Sequence, residues 1–210
     1  MHKLRIGADR DGFFVVPEKK SSAGKAPLIV TLHGAGGNGH DAIQPFRRAA
    51  AEFGIILLAP DSRGKSWNAR KDDWGPDVDF LDLALARVFE RCGVNENGVA
   101  LAGFSDGASY ALSLGLGNGA LFTHLIAFSP GFMRAPTEGP KPRVFVSHGS
   151  EDPVLSAVRC SHRIVSRLER DGYEVQFREF AGAHTVPQEV SRDSIDWFLN
   201  KMTDPLERHL

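Results

Sequence analysis

The stretch Val99-Ala100-Leu101-Ala102-Gly103-Phe104-Ser105-Asp106-Gly107-Ala108 carries the decisive local pattern. A short apolar run, Val99 to Ala102, has strand character. It passes through Gly103-Phe104-Ser105-Asp106-Gly107 into Ala108 to Leu116, which has helical spacing. G-x-S-x-G between a strand and a helix describes a sharp turn that lifts a serine hydroxyl above the strand end. Glycine on either side removes Cβ atoms that would strike the neighbouring strand and helix, and the helix N-terminus favours negative charge beside the serine. The bland alternative is a helix cap in which Ser105 only accepts a backbone hydrogen bond. With 22 glycines in the chain the pentapeptide is permissive, so its context has to decide.

Outward from this turn, strand-like and helix-like segments alternate. Strand character marks Phe13 to Val16, Leu28 to Leu32, Ile55 to Ala59, Leu125 to Phe128, Val144 to Ser147 and Val175 to Phe180. Helical spacing marks Ala42 to Phe53, Leu155 to Leu168 and Val190 to Met202. It is clearest where Val78, Leu81, Leu85, Val88, Phe89 and Cys92 form an apolar stripe opposite Asp79, Asp82, Arg87 and Glu90. This alternation predicts an α/β, doubly wound, mostly parallel sheet with helices on both faces. No composition break or internal repeat divides residues 1–210, so one domain is expected. Lys19 to Pro27 reads as a surface loop and Asp204 to Leu210 as a polar tail.

Composition narrows the setting. The chain is 42% hydrophobic and 24% charged, too apolar for disorder, and its formal charge of −1 gives no electrostatic reason to expect nucleic acid or an acidic membrane. Cys92 and Cys160 cannot form a disulfide framework and are expected on helices as reduced structural residues. The N-terminus lacks a secretory apolar core, and no apolar run is long enough to span a bilayer. A cytoplasmic location is expected.

The glycine-rich loop after Leu28 to Leu32, His33-Gly34-Ala35-Gly36-Gly37-Asn38-Gly39, has three readings. Gly34, Gly36 and Gly39 fit the dinucleotide pattern G-x-G-x-x-G, with Asp61 as the ribose-binding acid, which would make the protein an oxidoreductase. The same loop can be half of an oxyanion hole, or a plain turn. A phosphate loop is excluded, because His40 and Asp41 stand where it needs Lys-Ser/Thr.

A serine nucleophile needs a base, and the base an orienting carboxylate. Asp152 follows the strand Val144 to Ser147 within His148-Gly149-Ser150-Glu151-Asp152-Pro153. His184 follows Val175 to Phe180 within Ala181-Gly182-Ala183-His184-Thr185. Parallel strands gather such loops at one sheet edge, in the chain order serine, acid, histidine. Alone, Asp152 could be a helix cap and His184 a bonded loop residue, and Glu151 is a rival acid. Dinucleotide binding explains none of the three placements, whereas a hydrolase also explains the glycine loop.

At these residues the chain resembles the small α/β-hydrolases of the phospholipase/carboxylesterase group, which includes acyl-protein thioesterases. The resemblance rests on Leu32 to Gly37, Gly103 to Gly107, His148 to Val154 and Phe180 to His184, and spans roughly Ala26 to Leu199. It implies Ser105 as nucleophile, His184 as base, Asp152 as its orienter, and the backbone N–H groups of Ala35 and Asp106 as the oxyanion hole. Two departures stand out: Asp106 replaces the more usual uncharged residue after the nucleophile, and Ala108 replaces a common second glycine.

The expected reaction is hydrolysis of a small-molecule ester or thioester through an acyl-serine, without metal or cofactor; the histidines form no H-E-x-x-H cluster. Trp67, Trp74, Phe132 and Met133 are candidate walls of an acyl pocket, although a tryptophan could equally anchor its loop to the sheet. Asp77 and Asp79 are expected to serve the dipole of the second long helix. No insertion resembles a large lid, which favours soluble or short-chain substrates. A non-catalytic binding protein remains the other alternative.

Overall fold

The computed structural model describes residues 1–7, 9–18, 24–67, 74–135 and 138–203. Most of the loop expected from Lys19 to Pro27, the middle of Ser62 to Pro76 and the polar tail therefore lie outside the described residues.

The strands are β1 (His2–Lys3), β2 (Gly12–Val15), β3 (Ala26–Leu32), β4 (Ile56–Pro60), β5 (Val94–Phe104), β6 (His124–Phe128), β7 (Arg143–Gly149) and β8 (Val175–Phe180). They form one eight-stranded sheet in the order β1-β2-β4-β3-β5-β6-β7-β8. β1 and β2 pair antiparallel, as do β2 and β4; every pairing from β4 to β8 is parallel. The chain leaves β3 toward one edge and returns at β5 toward the other. The reversal puts a crevice between the C-terminal ends of β3 and β5, where open α/β sheets place their ligands.

The helices are α1 (Gly39–Ile43), α2 (Arg47–Phe53), α3 (Gly75–Arg91), α4 (Asp106–Gly115), α5 (Ser161–Arg170) and α6 (Gln188–Thr203). Strand residues alternate between two cores. Leu28, Val30, Leu32, Val99 and Leu101 pack under α3, α4 and α5, whereas Ile29, Ala100 and Ala102 pack under α1, α2 and α6. Period-two burial on both faces is what a doubly wound sheet demands.

Several boundaries depart from the sequence expectation. Ala42 to Phe53 is two helices, separated where Pro45 lacks the N–H that a continuous helix would use. Leu155 to Leu168 becomes helical only at Ser161, after a run of turns. β5 begins five residues earlier than Val99, and β1 was not anticipated. Cys92 and Cys160 cap the end of α3 and the start of α5 rather than lying within them, and both are free thiols. Asp77 lies in the first turn of α3 as expected, but it is buried and its carboxylate accepts from Arg63 N–H at 2.6 Å.

Candidate active site

Ser105 sits between β5 and α4 with φ 55° and ψ −113°, a left-handed conformation costly for a residue with a Cβ. Its own N–H donates to Phe128 C=O at 2.9 Å, which ties the turn to β6. The flanking glycines are sterically required. A Cβ on Gly103 would lie 2.3 Å from Gly107 C=O, and one on Gly107 would lie 2.4 Å from Leu32 C=O. The side chain makes no capping bond, so the helix-cap alternative fails.

The loops after β7 and β8 are stapled together. Ser150 N–H donates to Phe180 C=O at 2.8 Å and Glu151 N–H to Gly182 C=O at 3.0 Å. Gly149 permits this approach, since a Cβ there would meet Gly182 C=O at 2.3 Å. The result is a continuous chain of contacts. His184 Nε2 lies 2.9 Å from Ser105 Oγ, and His184 Nδ1 lies 2.5 Å from Asp152 Oδ2. Asp152 presents only acceptors, so His184 Nδ1 carries the proton and Nε2 offers its lone pair to the serine hydroxyl.

Asp152 is fully buried at its side chain, and His184 is 15% exposed there. Burial would raise the Asp152 pKa, but N–H donors from Leu155, His184 and Val154 outweigh it and hold the carboxyl below its ordinary range. The Val154 and Leu155 N–H groups reach Oδ1 at 2.8 and 2.9 Å. On Oδ2 a second imidazole, that of the buried His148, approaches to 3.1 Å through Nε2. That nitrogen also faces Leu155 C=O at 2.8 Å, so it is the donor, and Nδ1 faces Ser161 Oγ at 2.6 Å. Nothing in the spacing of the motif His148 to Pro153 assigns His148 this contact to Asp152. Glu151, the rival acid, is exposed.

The loop after β3 supplies the opposite wall. Ser62 N–H donates to His33 Nε2 at 3.0 Å, which leaves His33 Nδ1 to donate to Gly34 C=O at 2.7 Å. Burial foremost lowers the His33 pKa and keeps the ring neutral. Gly37 N–H also reaches Gly34 C=O, at 3.0 Å. Because the peptide is trans, Ala35 N–H points away from both donors. Asp106 N–H lies at the first position of α4, where no helical partner exists.

The Asp106 side chain is held away by the preceding loop: its Oδ2 accepts from Ser66 Oγ at 2.7 Å and from Trp67 N–H at 2.9 Å. Trp67 is 4% exposed, donates its ring N–H to His33 C=O at 2.9 Å, and packs at a tilt against the rings of His33 and Tyr110. Trp67 thus anchors its loop, the alternative to a pocket wall that the sequence leaves open. Trp74 meets Tyr110 edge-on at 5.6 Å and lies under the Arg134 guanidinium. Phe132 and Met133 are half-buried beside the α4 face. Their segment is fixed by Gly131 N–H to Ser109 Oγ and Arg134 N–H to Ser113 Oγ.

Asp61 is consumed within the scaffold: its carboxylate accepts from Gly39 N–H at 2.7 Å and from Asp11 N–H at 3.3 Å. A Cβ on Gly39 would lie 2.4 Å from Ala59 C=O, so this glycine serves close packing of loop on strand. The nucleotide-binding oxidoreductase is not favoured. On the other side of His184 lies a cavity of about 470 Å³, walled by the α1–α2 corner and by residues 184–188. None of the four candidate pocket residues lines it.

A mostly parallel eight-stranded sheet with the serine, acid and histidine loops at one edge is the α/β-hydrolase fold. Among solved structures the chain is similar to the esterase PE8, at 25% identity over 93% of this chain and 100% of that one, with a TM-score of 0.73. It is also similar to an S-formylglutathione hydrolase from Staphylococcus aureus (14% identity, 91% and 93% of the two chains, TM-score 0.76) and to a Bacillus cereus carboxylesterase (18%, 93% and 96%, 0.71). No family model matches the sequence, and no curated protein matches it. Among the described residues, no helix is long and apolar enough to cross a membrane.

Proposed function

We propose that the protein is a serine hydrolase that cleaves carboxylic esters or thioesters through an acyl-enzyme on Ser105. The observation that carries this reading is the unbroken chain from Ser105 Oγ to His184 at 2.9 Å and from His184 to Asp152 at 2.5 Å. His184 Nε2 takes the hydroxyl proton as Oγ bonds to the carbonyl carbon. The charge that develops on the carbonyl oxygen is met by Ala35 and Asp106 N–H. Collapse breaks the bond to the leaving alcohol or thiol, which receives the proton from His184. Water, activated by the same imidazole, then releases the acid and restores Ser105. Asp152 holds the productive tautomer and stabilises the imidazolium.

These steps use only groups of the chain itself, without metal or cofactor. Residues 1–210 act as one catalytic unit with a small-molecule ester or thioester as partner, and the free thiols of Cys92 and Cys160 support a cytoplasmic setting. Trp74, Phe132 and Met133, on the α4 side, are the proposed acyl contacts. The test is hydrolysis of p-nitrophenyl esters of increasing chain length. Ser105→Ala should lower kcat/KM by about 10³-fold or more, and an unchanged rate would refute the mechanism.

A further inference from the structure

The cavity beside His184 has no part in the steps above, yet it adjoins them. Its walls include His184, Thr185 and Val186 on one side and Gly34 on the other. A Cβ on Gly34 would come within 3.6 Å of the Ser105 Cβ, so the space runs up to the nucleophile. In acyl transfer the leaving atom must lie within reach of the imidazole that protonates it. Space walled by the histidine loop therefore belongs to the leaving group, while Trp74, Phe132 and Met133 pack against the opposite core.

The cavity's chemistry is uneven. Its floor is apolar, formed by Phe46, Phe104, Phe128 and Val186, and its volume is that of a small-molecule site. Two charged side chains reach its wall besides the histidines, Asp41 and Arg48. Asp41 is engaged: its carboxylate accepts from Asn38 N–H at 3.0 Å and closes the capping box of α1. Arg48 makes no hydrogen bond or ion pair with another described residue. The uncommitted charge at this wall is thus a single guanidinium, with a carboxylate nearby that would oppose a dianion. One planar cation suits one planar monoanion.

Resting on the serine-hydrolase reading, we infer that this cavity receives the leaving group and that Arg48 selects leaving groups ending in a carboxylate. The preferred substrates are esters or thioesters whose alcohol or thiol portion has an apolar body and a single anionic end.

Binding can be measured without turnover in the Ser105→Ala protein. Titration calorimetry with 4-hydroxybenzoate and its uncharged counterpart 4-hydroxybenzamide should show the carboxylate binding about fivefold more tightly, the scale of one solvent-accessible charge pair. Adding Arg48→Gln, an exposed substitution, should abolish the preference, and about 0.5 M salt should reduce it. Equal binding of the two phenols, no binding of either, or a preference that survives Arg48→Gln overturns the assignment. The acetate esters of the same phenols separate this from the underlying reading. Turnover by the unaltered chain that is lost in Ser105→Ala sustains the serine mechanism whatever the titrations give. Turnover retained in Ser105→Ala refutes that mechanism, while the titrations still decide whether the cavity binds carboxylates through Arg48.

Discussion

Replacing Asp152 by asparagine keeps the shape of the side chain but turns one of its two acceptor tips into a donor. Oδ1 faces the N–H groups of Val154 and Leu155, which belong to the backbone and can only donate. Oδ2 faces His184 and His148. The amide oxygen must therefore stay with the backbone, and the new NH₂ must face His184. His184 can accept from it only by moving its proton to Nε2, the nitrogen 2.9 Å from Ser105 Oγ. In that tautomer the ring can no longer take the serine proton, and the expected loss in kcat is about 10³- to 10⁴-fold. The lost charge-assisted bonds should cost about 1–3 kcal/mol of stability. The acid side gives a second signature. Despite burial, which raises it, the Asp152 pKa is held below 3.8 by its N–H donors. Stability from such a carboxyl is present above the unfolded pKa and is lost as pH falls through the folded one. The asparagine variant lacks this contribution, so urea midpoints should change less between about pH 5 and pH 2 than in the unaltered chain. Steady-state kinetics of Asp152→Asn within about tenfold of the unaltered enzyme would refute the tautomer argument.

Ser105→Gly should be more stable than Ser105→Ala by about 1 kcal/mol in urea unfolding, because glycine adopts φ 55°, ψ −113° without strain; equal stabilities would mean that the turn stores no strain. His124 is buried, its Nε2 has no hydrogen-bond partner among the described residues, and burial foremost pushes its pKa from 6.5 to about 4. Between those values the unfolded chain binds a proton that the folded chain refuses, so stability falls as pH drops, by about 3 kcal/mol in full. His124→Gln should flatten that slope in pH-dependent melting, and an unchanged slope would contradict it. Asp106→Ala frees the loop at Ser66 and Trp67, and should lower kcat more than it raises KM; Asp106→Asn, which keeps an acceptor oxygen, should recover most of the loss.

What was legible in the sequence was what is encoded locally. The strands that cross the core are continuous apolar runs, and the glycines at 103, 107 and 149 mark places where backbones touch. The strand runs, with the loops that follow them in the order serine, acid, histidine, carry the expectation of Ser105, Asp152 and His184 at one edge, whereas the close approach at Gly149 is visible only in the fold. Less was visible where long-range contacts decide. The polar Asn95 and Asn97 hide the start of β5, where Val94 pairs with Ala26 and the register then shifts before Val99 meets Leu28. Pro45 split a segment whose apolar spacing was otherwise helical. The burial of Trp67 depends on His33, after β3, and on Asp106 and Tyr110, one turn apart on α4, meeting at the same residue. The cavity at Arg48 exists because the α1–α2 corner meets residues 184–188, a meeting that no spacing announces. His148 stands within the motif, but its contact to Asp152 depends on how the loop after β7 brings Asp152 back to the ring.

The most direct measurement is covalent labelling of the folded chain with a fluorophosphonate, followed by peptide mass spectrometry. A stoichiometric adduct on Ser105, formed by the native protein and not after unfolding in urea, is the predicted result. No adduct, or one whose rate at Ser105 survives unfolding, would contradict the claim that His184 and Asp152 activate this hydroxyl.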